Sequence, residues 1–200
     1  MVSGIRPFSF AIDWHSGKIN NYHNLIQRRL SQMKGMFLDE TAWKAMLEME
    51  DTLIYEVYEI KVPDEEGHLM PCTSITYPGK IGHEFFMTKG HFHQNIQTAE
   101  IYYCLGGKGF MLMESDQGDW KAEPMEKGQV LYVPPYYAHR SINTGQEPLI
   151  SFCIYPGGAG HDYATIEAKG FRKLLLEEDG RIQIKDNPRW KTHPQAKSGG

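Results

Sequence analysis

The chain has 200 residues, 21 Lys and Arg against 25 Asp and Glu, and a formal net charge of −4, so it lacks the basic run that a nucleic acid or an anionic membrane surface would need. Its length suffices for one domain with a buried core, expected over residues 1–192, with a disordered tail at 193–200. The N-terminus MVSGIRPFSF carries no charged leader followed by an apolar segment, and no apolar run approaches the roughly 20 residues that cross a bilayer, so a cytoplasmic protein is expected. Cys72, Cys104 and Cys153 lie far apart in apolar surroundings, which suits buried free thiols better than a disulfide framework or a CxxC zinc site.

In chain order, residues 22–34 put Leu25, Ile26, Leu30 and Met33 on a helical stripe. Asp39 is placed to cap a second helix with Trp43, Met46 and Leu47 on one face. From Thr52 the period becomes two. TLIYEVYEIKV alternates apolar and polar residues, and strand-like segments follow near 70–77, 84–93, 100–105, 109–114, 129–133, 138–143 and 149–155. A short helix near 164–169 precedes LLLEEDGRIQIK, where Asp179-Gly180 signals a hairpin. Many short strands between turn signals predict a mainly β fold, an antiparallel sandwich or barrel able to hold one ligand inside.

The chemistry concentrates in GHFHQNIQTAE at 90–100, which holds His91, His93 and Glu100, and in GQVLYVPPYYAHRSIN, which adds His139. On a strand, His91 and His93 point to one face and Phe92 to the other. Three imidazoles and a carboxylate suit a divalent transition metal such as Fe, Mn, Ni or Zn with open coordination positions, in contrast to a closed cysteine-rich structural site. Singly, each feature has a blander account: an isolated HxH is usually a chance pair on a solvated strand, and a lone Glu a solvated carboxylate. His15, His23, His83 and His193 receive no role. Met87, Met111, Met113 and Met125 suit core filling, and Pro134-Pro135 the turn that presents His139.

These intervals resemble the paired motifs of the cupin superfamily, G-x5-H-x-H-x3/4-E-x6-G and G-x5-P-x-G-x2-H-x3-N. The departures are a six-residue gap between His93 and Glu100, Phe85 at the opening glycine, and Tyr136 at the second motif's internal glycine. FLDETAW, YPGKIGHEFFMTKGHFH, AEIYY, YVPPYYAHR, IYPGGAGHDY and DNPRW are similar to the cupin-type phosphoglucose isomerases along nearly the whole chain.

That resemblance implies a cupin (double-stranded β-helix, or jelly-roll) barrel with a few flanking helices. It implies one divalent transition metal per subunit, iron first with manganese, nickel or zinc also accepted, held by His91, His93, Glu100 and His139. The implied activity interconverts glucose 6-phosphate and fructose 6-phosphate, in glycolysis or gluconeogenesis. The metal would chelate O1 and O2, and Glu100 would shuttle the proton through a cis-enediolate, although a hydride shift gives the same product. Ser74, Thr88, the Gly90 amide and Tyr155 are implied phosphate contacts, with Ser74 replacing the family's usual threonine. Tyr102 and His161 match positions along the sugar chain, and His161 is a candidate for ring opening or for moving the hydroxyl proton. A homodimer is expected, for which the segment 52–60 offers an edge strand.

Other functions are compatible with the same barrel. They are another metal-dependent cupin enzyme such as an oxygenase, a mannose-6-phosphate isomerase activity through the shared enediolate, and a non-catalytic sugar-binding cupin. The Ser74, Thr88 and Gly90 group distinguishes a sugar phosphate enzyme from an oxygenase, for which it would be idle.

Overall fold

The alternating segments are realised as antiparallel strands in a computed structural model that describes residues 5–191; His193 and the expected tail at 193–200 lie outside the described residues. In chain order they are β1 (Asn24–Arg29), a 3-10 turn (Leu30–Met33), α1 (Glu40–Met49), β2 (Leu53–Glu59), β3 (Leu69–Thr76), β4 (Lys80–Ile81) and β5 (Glu84–Phe85). There follow β6 (Glu100–Gly106), β7 (Lys108–Ser115), β8 (Trp120–Glu126), β9 (Val130–Val133), β10 (Tyr137–Asn143), β11 (Leu149–Pro156), α2 (Tyr163–Lys169), β12 (Lys173–Glu178) and β13 (Arg181–Asp186). A six-stranded sheet runs β1-β2-β3-β11-β6-β9, a three-stranded sheet β10-β7-β8, and a four-stranded sheet β13-β12-β5-β4.

The six- and three-stranded sheets share one apolar interior, in which Cys72, Cys104 and Cys153 pack with Met111, Met113, Met125, Leu131 and Val133. This is a mainly β, cupin-type barrel, and the methionines fill its core. Around it, Trp43 of α1 and Ile166 of α2 pack with Ile54, Phe86, Met87, Leu112 and Ile142. Asp39 caps α1 by accepting from Ala42 N at 2.9 Å, as its position implies. The hairpin at Asp179-Gly180 also forms, both residues having positive φ (50° and 72°), with Glu178 facing Arg181.

Three expectations are corrected. Residues 22–34 form β1 and a 3-10 turn in place of a helix, because six residues of β1 pair with β2 and Gln27 Nε2 donates to Glu56 Oε1 at 2.6 Å. The periodic Leu30 and Met33 still reach the core, so tertiary pairing overrode a helical stripe of only modest intrinsic strength. Strand β2 lies between β1 and β3 and is not an edge; among the described residues the six-stranded sheet ends at β1 and β9. The stretch 84–93 is regular only at Glu84–Phe85, then touches neighbouring segments through the isolated bridges Met87↔Ile142, His91↔His139 and Phe92↔Asp162. Strand β8 carries no alternating apolar pattern to signal it, and it includes Pro124, which an edge strand tolerates.

Glu84 is buried, with Oε2 accepting from Leu38 N at 2.8 Å and Oε1 unpartnered. Burial pushes its carboxyl up to about 7, outweighing the opposing pull of the Leu38 bond and of Arg140 and Arg189. The folded pKa lies above the ordinary one, so this contribution to stability is complete below about pH 4.5 and is lost as pH rises through about 7. The gap corresponds to about 3 kcal/mol. Glu84→Gln is therefore expected to raise the Tm at about pH 8 and to change it little at about pH 5, as thermal melts at both pH values would report.

Candidate active site

Gly90 sets the approach to the site. It has φ of 74°, and a β-carbon there would fall 2.6 Å from Phe171 Cε2 and 2.9 Å from the His139 carbonyl oxygen, so the position needs both glycine's left-handed freedom and its lack of a side chain. The next residue bridges to β10: His91 N donates to His139 O at 3.2 Å and His139 N to His91 O at 3.1 Å. The turn before β10 has the conformation that the motif's glycine would favour, but with Tyr136 at φ 71°, a strain of roughly 1–2 kcal/mol for a residue with a β-carbon. Tyr136 N donates to Ile96 O at 2.7 Å, which helps to hold the turn.

The backbone brings His91, His93, Glu100 and His139 together, with one ligand atom from each lying within 4.8 Å of all the others. Glu100 Oε2 is 3.2 Å from His93 Nε2 and 2.9 Å from His139 Nε2. The second contact is close but off the hydrogen-bond direction, so the buried His139 Nε2 has no hydrogen-bond partner among the described residues, and neither has His91 Nε2. Unpartnered imidazole nitrogens facing a buried carboxylate fit a divalent cation, since burying a lone pair without a partner is otherwise costly. His93 is oriented from behind. Its Nδ1 lies 2.7 Å from Thr98 Oγ1, whose hydroxyl proton goes to Asn95 O at 2.7 Å. The Thr98 oxygen therefore accepts from Nδ1–H, so that a neutral ring offers its Nε2 lone pair to a metal, whereas a protonated ring donates Nε2–H to Glu100 Oε2 at 3.2 Å.

The electrostatics agree with that use. Burial and then the neighbouring His139 and His161 hold His91 well below the usual imidazole range, hence neutral. Burial by itself would raise Glu100, but His139 and His93 outweigh it and hold the carboxyl well below the usual carboxylate range. Burial lowers His161 as well, and raises Tyr102 and Tyr155, keeping both phenols protonated.

Ser74, Thr88, Gly90, Tyr102, Tyr155 and His161 all border the cavity that contains His91, Glu100 and His139. Thr88 is tied to β10, its N donating to Ser141 O at 2.9 Å and its Oγ1 accepting from Ser141 N at 3.1 Å. His161 packs edge-on to His91 at 4.5 Å and to Tyr155 at 5.2 Å, and stacks with Tyr163 at 5.8 Å. The larger cleft of 530 Å³, between β8 and β9, contains none of the four ligand residues. Sequence reasoning missed Tyr55, Val57, Glu59, Cys72, Cys153 and Tyr163 in the cavity wall. For the first five the usable signal was strand alternation, since 55-57-59, 72-74 and 153-155 share faces.

If Thr98 orients His93, Thr98→Ala is expected to leave the fold intact and weaken divalent-metal binding by about 10- to 100-fold, measured by competition with a chromogenic chelator.

A family model described as glucose-6-phosphate isomerase (GPI) matches residues 27–191. Glucose-6-phosphate isomerase of Thermococcus litoralis is 51% identical over 185 residues, covering 92% of this chain and 97% of its own. Putative glucose-6-phosphate isomerase 1 of Rhizobium meliloti is 35% identical over 199 residues, covering 98% of this chain and 93% of its own. A solved structure of oxalate oxidase overlaps 58% of each chain at 13% identity, with a TM-score of 0.47.

Proposed function

This chain belongs to the glucose-6-phosphate isomerase family and is an enzyme of that family; we propose that it interconverts glucose 6-phosphate and fructose 6-phosphate by moving a proton between C2 and C1. The observation that carries this proposal is the position of a buried Glu100 among three imidazoles in a cavity also bordered by Ser74, Thr88 and Gly90. His91, His93, Glu100 and His139 would hold the divalent ion, with iron the first candidate and manganese, nickel and zinc compatible with the same donors. Such an ion supplies Lewis-acid polarisation of the C1 carbonyl and C2 hydroxyl oxygens.

The remaining steps fall to side chains. Glu100 takes the C2 proton and returns it to C1 by way of a cis-enediolate, its low basicity compensated by the acidity of a C–H beside a polarised carbonyl. His161, kept neutral by burial, is suited to open the sugar ring and to carry the hydroxyl proton between O1 and O2. Ser74, Thr88, the Gly90 amide and Tyr155 bind the phosphate with neutral donors, which accords with a chain of net negative charge. Tyr102, on the cavity wall, would face the sugar carbons.

The test is turnover of fructose 6-phosphate by enzyme stripped with a chelator and reloaded with Fe, Mn, Ni or Zn singly. Activity is expected to vanish and return with metal, and Glu100→Ala is expected to lose about 10²-fold or more. Reloaded enzyme that binds metal without turnover would overturn the activity, and product from deuterated water without deuterium at C1 or C2 would overturn the proton route in favour of a hydride shift.

For the subunit partner, the outward face at β9 favours a second copy. Val130 and Tyr132 are 64% and 60% exposed, and Tyr103 and Ile101 stand opposite them on β6. An open edge strand with an apolar face is a hazard unless another surface covers it. A homodimer through this face is expected to become monomeric on Val130→Glu with Tyr132→Glu, as light scattering would report. A variant that stays dimeric would place the interface elsewhere.

A further inference from the structure

Two of the three cysteines are neighbours in space. Cys72 on β3 stands directly opposite Cys153 on β11 in the antiparallel ladder. Both are free and buried, and both line the same cavity as Glu100 and His139. Contact with Cys153, ahead of burial, pushes the Cys72 thiol well above its ordinary value and keeps it protonated, and Cys153 Sγ also lies 3.7 Å from Ser151 Oγ. Cys104 differs: it faces Ser151 across the β6–β11 ladder and its Sγ donates to Gly106 O at 3.6 Å. It does not border the cavity.

We propose that Cys72 and Cys153 form an oxidisable dithiol in the wall of the substrate cavity, a modification site that a small two-electron oxidant, a peroxide or an azodicarboxamide, converts to a cross-strand disulfide. With hydrogen peroxide, one thiol sulfur attacks and the O–O bond breaks, leaving a sulfenic acid and one water. The second thiol then attacks that sulfur, the S–O bond breaks and a second water leaves. The two thiols lose two electrons and two protons, all of which end in the two waters. An azodicarboxamide takes the same electrons and protons at its N=N bond and becomes a hydrazine.

Directly opposed residues of an antiparallel pair hold their Cβ atoms about 4.5–5.5 Å apart, whereas a disulfide needs about 3.5–4.5 Å. Closure therefore draws β3 and β11 together by about 1 Å. Such a bond is strained and readily reduced, the property of a reversible disulfide in contrast to a structural one. Ser74 and Tyr155 lie two residues further along the same strands and face the same cavity. The disulfide would therefore displace two of the proposed phosphate contacts. This consequence rests on the function proposed above; formation of the bond does not.

The test treats metal-loaded enzyme with diamide, an azodicarboxamide, then alkylates it under denaturing conditions and maps it by mass. Free thiols are expected to fall from three to one, with the Cys72 peptide joined to the Cys153 peptide. The KM for fructose 6-phosphate is expected to rise about tenfold, the scale of one lost charge-assisted hydrogen bond, and to recover with dithiothreitol. Cys104→Ser should respond like the parent enzyme, whereas Cys72→Ser and Cys153→Ser should form no internal link. Three thiols still free after treatment, or a link through Cys104, would overturn the site. A Cys72–Cys153 link with unchanged KM would overturn its effect on binding. Linkage is read by mass alone, so an enzyme without turnover would count against the isomerase function and leave the dithiol to be judged separately.

Discussion

The paired backbone hydrogen bonds between His91 and His139 are the constraint on which the site depends. They join an otherwise irregular segment, 86–93, to the middle of β10, so that ligands separated by nearly fifty residues meet at one point. The close approach exists only because Gly90 presents no side chain to Phe171 or to the His139 carbonyl. Arg140, next in the chain, reinforces the junction: its guanidinium donates to Lys89 O and lies 4.2 Å from the Phe171 ring. Since protein interiors are close-packed, a displacement there would pass directly to the ligand geometry.

Charge inside this barrel is arranged in compensated groups. His139 and then His93 hold the Glu100 carboxyl well below its usual range against the opposing effect of burial, while burial holds His91 below the usual imidazole range. At a second buried centre, Glu114 accepts from Lys169 Nζ at 3.2 Å and Trp190 Nε1 at 3.0 Å, and also from Arg172 N. That centre ties α2 and the residues after β13 to β7. Such grouping is the requirement for keeping ions out of water, where an unpaired charge would otherwise neutralise itself. Glu84 and Arg140 depart from that pattern: each has a side-chain atom without a partner among the described residues, and burial pushes the carboxyl up to about 7 and the guanidinium down to about 10.

Much of the site was legible because a donor set that could hold a metal restricts both residue type and spacing. His91-x-His93, Glu100 and His139 at motif intervals identified the cluster even though the strand expected to carry the first pair is broken into isolated bridges. Tyr136 shows the same economy: the motif's glycine is gone, yet the backbone retains a glycine-like φ of 71°. Thr98 was not legible, because its effect on His93 depends on a hydrogen-bond direction set by Asn95 O. Cys72 and Cys153 looked like unrelated apolar residues, since strands β3 and β11 are distant in sequence and adjacent only after folding.

From sequence alone came the mainly β class, the cap at Asp39, the hairpin at Asp179-Gly180 and the four members of the His/Glu cluster that could hold a metal, all carried by local period, turn chemistry or fixed spacing. Tertiary structure decided that residues 24–29 pair as a strand, that β2 is flanked on both sides, and which side chains share the cavity wall with Glu100. The physical reason is the range of the interactions. Turn and capping preferences act over a few residues, whereas strand pairing is won by hydrogen bonds and burial supplied by partners far along the chain, and no local pattern specifies which partner arrives.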